Sequence, residues 1–346
     1  MKRYSKTRVT LKDVAEQCQY SVNTISRAMR NDEKLPQSTR TYIQQLAAQM
    51  GYVPNSNASA LRSGSTKTIS IIVNDLRNPH FSSMLDQMER KLREAGYNTM
   101  ILCTHLDLSL GEQMIHVSIS HCVDGILYFP YHSDRECIEY MKRCGVPFVL
   151  IDRWINGVMA DTARTDDELG GYIAGQHLLQ QGHTHFVYIA GSLANSSQID
   201  RQTGFFRALS EKHIPQEQIQ IIPWDDAEAA GQSQQMCSLF LPTKATAVLC
   251  FNDTLAYHLM NELNLKHIRV PEDISILSFD YIRRAFPYMP PLSSISTTFS
   301  SVAEVAVQLL LNRIHDTSIP PQIVVLPVQI FDEGTTAPPR TKETIG

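Results

Sequence analysis

From Thr68 onward the chain alternates short β-branched apolar runs with amphipathic stretches of helical period, and that rhythm leaves few folds open. Residues 69–73, 99–103, 125–129 and 148–151 read as strands buried on both faces, separated by helical patterns at 81–95, 111–120 and 135–144. The rhythm then repeats, with strands at 186–190, 219–222, 247–250 and 274–278 and helices near 170–181, 202–213, 229–239 and 254–263. A strand, a crossover and a parallel strand take a right-handed path, so a run of such units builds an open parallel sheet with helices on both faces. The 279 residues after Lys67 are more than one such core usually holds, and two doubly wound parallel-sheet lobes are expected.

The first 67 residues follow a different logic. Thr10-Leu11-Lys12-Asp13 is a helix start, in which the Thr10 hydroxyl accepts an orphan backbone N–H and Asp13 favours the positive helix end. Leu11, Val14, Ala15 and Cys18 then recur at helical spacing. After Gln19-Tyr20, Ser21 can cap a second helix, 22–29, with Ile25, Ala28 and Met29 facing inward and Val22, Asn23, Ser26 and Arg27 facing outward. A third helix, about 38–50, carries Ile43, Leu46, Ala47 and Met50 on one face and stops at Gly51. This pattern suits a plain three-helix bundle, and it also suits an all-α helix-turn-helix head whose second helix enters a major groove. There Asn23 can pair with an adenine, Val22 can touch a thymine methyl, and Arg27 can take guanine or a phosphate.

Charge favours the second choice. Residues 1–67 hold eleven Lys and Arg against four Asp and Glu, a net +7, whereas the whole chain is −4 and its remainder therefore −11. A basic head on an acidic body places its cations for a polyanion, because phosphate neutralisation with counterion release supplies most non-specific DNA affinity.

Val9-Thr10-Leu11-Lys12-Asp13-Val14-Ala15, Ser21-x-x-Thr24-Ile25-Ser26-Arg27, Gly51-Tyr52-Val53-Pro54-Asn55 and Ala58-x-x-Leu61-Arg62-Ser63-Gly64 together resemble the lactose-repressor (LacI/GalR) family of bacterial transcription regulators, over residue 9 to the C-terminus. The resemblance implies a homodimer on a palindromic operator, with DNA contacts on Thr10, Ser21, Val22, Asn23, Thr24, Ser26, Arg27 and Thr39. It also implies a hinge helix through Asn55, Ala58, Leu61 and Arg62, in which Leu61 wedges a base step from the minor groove. Eight residues with no core of their own are too short to be helical alone, so that order has to come from dimer and DNA contacts; the plainer alternative is a tether. The implied division is a head at 1–54, hinge and linker at 55–67, a first lobe at 68–164 plus 296–323, and a second at 165–295 plus 324–346, the lobes resembling periplasmic sugar-binding proteins. The chain departs from the family at Gln19-Tyr20, where relatives usually have Gly; if Gln19 needs positive φ the cost is on the order of 1 kcal/mol.

Polar residues at strand C-termini are where an open α/β lobe holds a ligand. Asp75, His80 and Phe81 follow the first strand, Asp152 and Arg153 the fourth, Asn252-Asp253 and Asp280 two later strands, and Arg201 is expected to open a helix. By the resemblance, Asp75, His80, Phe81, Asp152, Arg201, Asn252 and Asp280 line the cleft for a small polar effector, a saccharide by its match to carboxylates, Asn and Arg, with Phe81 as a stacking face. For each residue singly a helix cap or ion pair is the competing role, and Asp167 and Asp253 are read as caps. Many relatives have an aromatic near Asp226, which leaves Trp224 to reach the ligand or not. Gly170-Gly171 is no phosphate loop, and no Gly-x-Ser-x-Gly or His-Glu-x-x-His occurs, so no enzyme, no cofactor and no metal is expected; His183-x-His185 reads as a solvated turn. The seven Cys without a CxxC read as reduced buried thiols of a cytoplasmic protein, with no signal peptide and no membrane partner. The alternatives are a solute-binding protein with no DNA role, or a regulator of this family governed by a protein partner.

Overall fold

The structure is a computed structural model that describes residues 9–53, 64–107, 109–131, 133–224, 236–240, 243–297 and 301–340. Its contacts divide the chain into two units, Met1–Thr66 and Lys67–Gly346.

In the first unit, α1 (Leu11–Cys18) begins at a reciprocal cap. The Thr10 hydroxyl accepts from the Asp13 N–H at 3.3 Å, and the Asp13 carboxylate accepts from the Thr10 N–H at 2.7 Å. The helix ends at Gln19, which adopts φ 57°, so the turn does require left-handed backbone and Gln19 bears its cost. Ser21 Oγ accepts from the Thr24 N–H at 3.1 Å and starts α2 (Val22–Met29). α3 (Gln37–Gln49) follows Pro36 and stops at Gly51, φ 73°, where the Tyr52 N–H reaches the Ala47 carbonyl at 2.9 Å. Val14, Ala15, Cys18, Ile25, Ala28, Ile43 and Ala47 form the buried core of this small unit.

The second unit holds two six-stranded sheets. The first contains β1 (Thr68–Val73), β2 (Asn98–Cys103), β3 (Gly125–Tyr128), β4 (Phe148–Ile151), β5 (Thr162–Thr165) and β11 (Ile323–Leu326) in the order β11-β5-β4-β3-β1-β2, all parallel. Helices α4 (Pro79–Glu94), α5 (Leu110–Ser120) and α6 (Arg135–Arg143) connect its strands, and α11 (Val302–His315) packs on it. The second sheet contains β6 (Phe186–Ala190), β7 (Ile219–Pro223), β8 (Ala247–Cys250), β9 (Ser275–Phe279), β10 (Ser294–Thr297) and β12 (Val328–Phe331), in the order β12-β10-β9-β8-β6-β7, with α7 (Asp167–Gln180), α8 (Ser196–Glu211), α9 (Met236–Phe240) and α10 (Asp253–Leu265). Each sheet reverses its order beside its first strand, and these switch points face each other.

Three strands were not visible in the apolar pattern. β5 (Thr-Ala-Arg-Thr) and β10 (Ser-Ile-Ser-Thr) carry hydroxyls, and β11 runs into β12 with only Pro327 between. Their pairing bears on the expected crossings near 164, 296 and 324: the first sheet keeps β5 through Thr165 and β11 through Leu326, and the second keeps β10 through Thr297. β12 lies antiparallel to β10. The C-terminal strand ends of both sheets face the cleft, so a chain leaving the first sheet at that end and running straight on enters the second sheet against its other strands.

α7 and α8 touch backbone to backbone. A Cβ on Gly171 would stand 2.0 Å from the Arg201 carbonyl, and one on Gly204 would stand 1.9 Å from the Glu168 carbonyl. This contact explains Gly170-Gly171 better than any phosphate loop, and it fixes Arg201. α8 begins at Ser196 rather than 202, because Asn195 accepts from the Ser197 N–H at 3.0 Å and adds a polar turn without an apolar face. Arg201 therefore sits inside the helix instead of opening it. Two minor expectations also change. His183 is buried, bonded to Thr246 Oγ1 at 2.8 Å and to the Ala337 carbonyl at 2.9 Å, so it ties the lobe rather than sitting in a solvated turn. All seven Cys are free thiols, but Cys122 and Cys144 are exposed and Cys103 half-buried.

Candidate effector cavity and nucleic-acid face

Strand C-termini and the helix N-termini that follow them converge where the two sheets face each other. Asp75 follows β1, Asp152 follows β4, Gly191 follows β6, Phe251 and Asn252 follow β8, and Asp280 follows β9; with Trp224 after β7 they enclose a cavity of about 180 Å³. Asp75, His80, Phe81, Asp152, Arg201, Asn252 and Asp280 all line it. A second space of about 500 Å³ shares His80, Asp152, Arg201 and Asp280 with it.

The carboxylates of the cavity are already committed. Asp75 accepts from the side chain of Arg77 at 3.0 and 3.1 Å. Asp152 meets His80 Nε2 at 2.8 Å. Burial alone would make His80 less basic, but the carboxylates of Asp280 and Asp152 outweigh it and push His80 up to about 9, so His80 is a cation at neutral pH. The same pair acts in reverse on Asp152, where His80 outweighs burial and holds the carboxyl below its usual range. Arg201 spends three nitrogens inside the protein: Nε on Asp167 at 2.8 Å, Nη1 on the Phe251 carbonyl at 2.6 Å and Nη2 on Asp280 at 3.2 Å. Its guanidinium also lies 4.4 Å from the ring centre of Phe279.

Asp167 and Asp253 are not the caps they were expected to be. Asp166 caps α7 and Asn252 caps α10, one residue earlier in each case. The two acids are buried instead: Asp167 against Arg201, and Asp253 accepting from the Ile282 N–H at 2.8 Å and from Ser294 Oγ at 2.7 Å. Burial, with Asp280 close by, pushes Asp253 up to about 7. Asp152 (φ 63°) and Asp280 (φ 99°) both hold left-handed backbone, a strain on the order of 1–3 kcal/mol each that turns their side chains into the cleft.

Several cavity residues escaped the sequence reading. The helices that point at the cavity, α4, α8 and α10, are all capped by asparagine: Asn78, Asn195 and Asn252 accept from the N–H groups of His80, Ser197 and Leu255. The helix-start rule could have found Asn78, just ahead of Pro79, and Asn195, just ahead of two serines. Tyr131 also lines the cavity; so do Trp224, which the sequence left open, and Arg153, already named after the fourth strand, which lies buried beside Tyr131. Phe81 packs edge-on against Phe129 at 5.2 Å within the first lobe's core and offers little free ring face.

Direct bonds join the lobes beside the cavity. Trp154 donates its backbone N–H to Ser196 Oγ at 3.0 Å and its Nε1–H to Asp200 at 2.7 Å, Arg164 reaches Asp200 at 3.3 Å, and Ser197 Oγ donates to the Asp152 carbonyl at 3.0 Å.

On the head, Val22 and Asn23 are exposed at the start of α2, Val22 by 44% of its surface, as a groove-entering helix needs. Thr24 Oγ1 is engaged by Ser21 Oγ at 2.8 Å, and Ser26 and Thr39 are half-buried. Arg27 Nε donates to Asp32 at 2.8 Å in a half-buried pair. Asn55, Ala58, Leu61 and Arg62 lie outside the described residues. Among the described residues no cluster of His, Cys, Asp or Glu could hold a metal ion, and no helix is long and apolar enough to cross a membrane.

The profile described as "Bacterial regulatory proteins, lacI family" matches residues 10–55, and that of the "Periplasmic binding protein-like domain" matches residues 176–336. The "HTH-type transcriptional repressor PurR" of Vibrio atlanticus (strain LGP32) is 30% identical over 330 residues, covering 94% of this chain and 98% of that repressor. Among solved structures, a LacI family transcriptional regulator from Enterococcus faecium with bound ribose is 28% identical with a TM-score of 0.70, covering 79% of this chain and all of that one. The Lac repressor dimer bound to operator and the anti-inducer ONPF shares the fold at a TM-score of 0.80 and 24% identity, over 96% of this chain and all of that one. The helix-turn-helix head, the pair of sheets and the relatives agree: the chain belongs to the lacI family of bacterial regulatory proteins.

Proposed function

We propose that this protein represses transcription by binding a palindromic operator as a homodimer in the cytoplasm, and that a small hydroxylated effector of the saccharide type, held between its lobes, sets its affinity for that operator. One observation carries the reading: the cavity takes Asp75, His80 and Asp152 from the first lobe and Arg201, Asn252 and Asp280 from the second. A ligand that touches both lobes has different contacts in each lobe arrangement, and such unequal binding is what linkage between ligand and DNA requires. The ribose held by the Enterococcus faecium regulator supports the saccharide class. In this reading Val22, Asn23, Thr24 and Ser26 meet base edges, Thr10, Ser21 and Thr39 position the head on phosphates, and Arg27 takes up a backbone contact from its seat on Asp32. Asn55, Ala58, Leu61 and Arg62 serve the minor groove at the centre of the site.

The test is selection from a random DNA library with the full-length protein, followed by a salt titration on the enriched site. The reading expects a palindrome, and an affinity whose logarithm falls by several units per unit of log salt, as roughly six to ten phosphate contacts imply. No enriched sequence, or a slope near zero, rejects it.

A further inference from the structure

The cavity is richer in hydrogen-bond donors than a neutral sugar needs. Each of Asn78, Asn195 and Asn252 has its Oδ1 committed to a helix N–H, so the group each has left for a ligand is its amide NH₂. The positive ends of α4, α8 and α10 come with these caps. The carboxylates, by contrast, each already face a cation: Asp75 meets Arg77 through both oxygens, Asp152 meets His80 through Oδ2, and Asp280 meets Arg201 through Oδ1. One cation is left over. Arg153 is 7% exposed and lines the cavity, and among the described residues it has no carboxylate in ion-pair contact; Nη1 reaches only the Asn74 side chain at 3.3 Å and the Pro130 carbonyl at 3.2 Å. Next to it the hydroxyl of Tyr131, also 7% exposed, is buried with no partner that meets hydrogen-bond geometry. Asp152 and Asp134 act on Arg153 only from a distance, so a buried guanidinium without a direct ion pair and a buried hydroxyl without a well-aligned partner both leave room for an acceptor from outside the protein.

Resting on the effector reading above, we infer that the effector carries an anionic group, a phosphate ester or a carboxylate, that Arg153 and Tyr131 hold while the asparagine amides take its remaining oxygens. Arg153 then separates the regulator's true ligand from the uncharged parent sugar.

The experiment follows thermal unfolding of the full-length protein at constant ionic strength in inorganic phosphate, D-ribose, D-ribose 5-phosphate and D-ribonate. A saturable rise in melting temperature is expected with inorganic phosphate or with either charged sugar, at least tenfold tighter than with D-ribose; ribose 5-phosphate against ribonate distinguishes the phosphate from the carboxylate. Arg153→Gln should weaken the anion response at least tenfold, Arg153→Lys should weaken it less, and Arg90→Gln, in the larger space, should leave it unchanged. The lysine variant carries the test if the glutamine variant fails to fold. No saturable response to any anion, or an unchanged response in Arg153→Gln, overturns the inference. If D-ribose alone responds and shifts operator binding, the effector reading survives and the anion does not.

Discussion

Replacing Arg201 by Met should cost stability before it costs anything else, and by an amount that depends on pH. Arg201 and Asp167 are both buried, with side chains 9% and 4% exposed, and they meet at 2.8 Å. Removing one partner of a buried ion pair strands the other, at about 3–5 kcal/mol. Asp280 also loses its 3.2 Å partner, but it keeps His80 within electrostatic reach, so Asp167 bears most of the loss. Burial already raises the Asp167 pKa even with Arg201 in place, and without the guanidinium it rises further. A carboxyl whose folded pKa lies above its unfolded value loses stability as pH climbs through the folded value, so the variant's deficit grows with pH. We expect Arg201→Met to be less destabilising at pH 5 than at pH 7.5, because the raised Asp167 pKa favours its neutral form increasingly as pH falls. The double variant Arg201→Met with Asp167→Asn, which removes the stranded charge, should recover at least about 1 kcal/mol at pH 7.5. Urea unfolding at both pH values measures all three proteins. Equal deficits at the two pH values, or no recovery in the double variant, would refute the argument that a stranded carboxylate sets the cost.

Gly171→Ala should destabilise the second lobe by about 1–3 kcal/mol or more, since its methyl would meet the Arg201 carbonyl at 2.0 Å, and calorimetry showing a normal transition would mean that α7 and α8 do not pack this closely. His80 has a folded pKa of about 9 against an ordinary 6.5, so its contribution is complete below pH 6.5 and is lost as pH rises through 9. The wild type should thus be roughly 2 kcal/mol less stable at pH 9.5 than His80→Gln, taken as a difference from pH 7, would lead one to expect; parallel pH profiles for the two proteins contradict this. Gln19→Gly should stabilise the head by up to about 1 kcal/mol by relieving left-handed backbone, read as a later melting of its helices in the full-length protein.

The sequence made the layers of this fold plain and hid its seams. Apolar runs such as 69–73 and 247–250 announce strands because both their faces are buried, whereas β5 and β10 present threonine and serine at the lobe crossing and carry no such signal. Helix starts in the head were legible from Thr10 and Ser21 because those caps depend on neighbours three residues away. The cavity divided along the same line. Which residues follow a strand can be counted off, so Asp75, Asp152, Asn252 and Asp280 could be placed on one rim. What each acid pairs with is decided by chain segments far away in sequence: Arg201 finds Asp280 across 79 residues and His80 finds Asp152 across 72. That is why the ion pairs of these acids were not legible, and why nothing in the sequence set Arg153, which lacks a direct carboxylate partner, apart from Asp152 beside it. The Arg27–Asp32 pair was hidden for a similar reason, because Asp32 lies beyond the end of α2 and reaches back to it.

The central claim is that one ligand and one operator compete or cooperate through the same two lobes, and linkage makes that measurable from both sides. The full-length protein's affinity for its selected palindrome should be determined with and without saturating effector, and its affinity for the effector with and without saturating palindrome. The account predicts that both affinities change by the same factor, about fivefold or more for a coupling of 1 kcal/mol and above. An effector affinity that operator DNA leaves unchanged would contradict it.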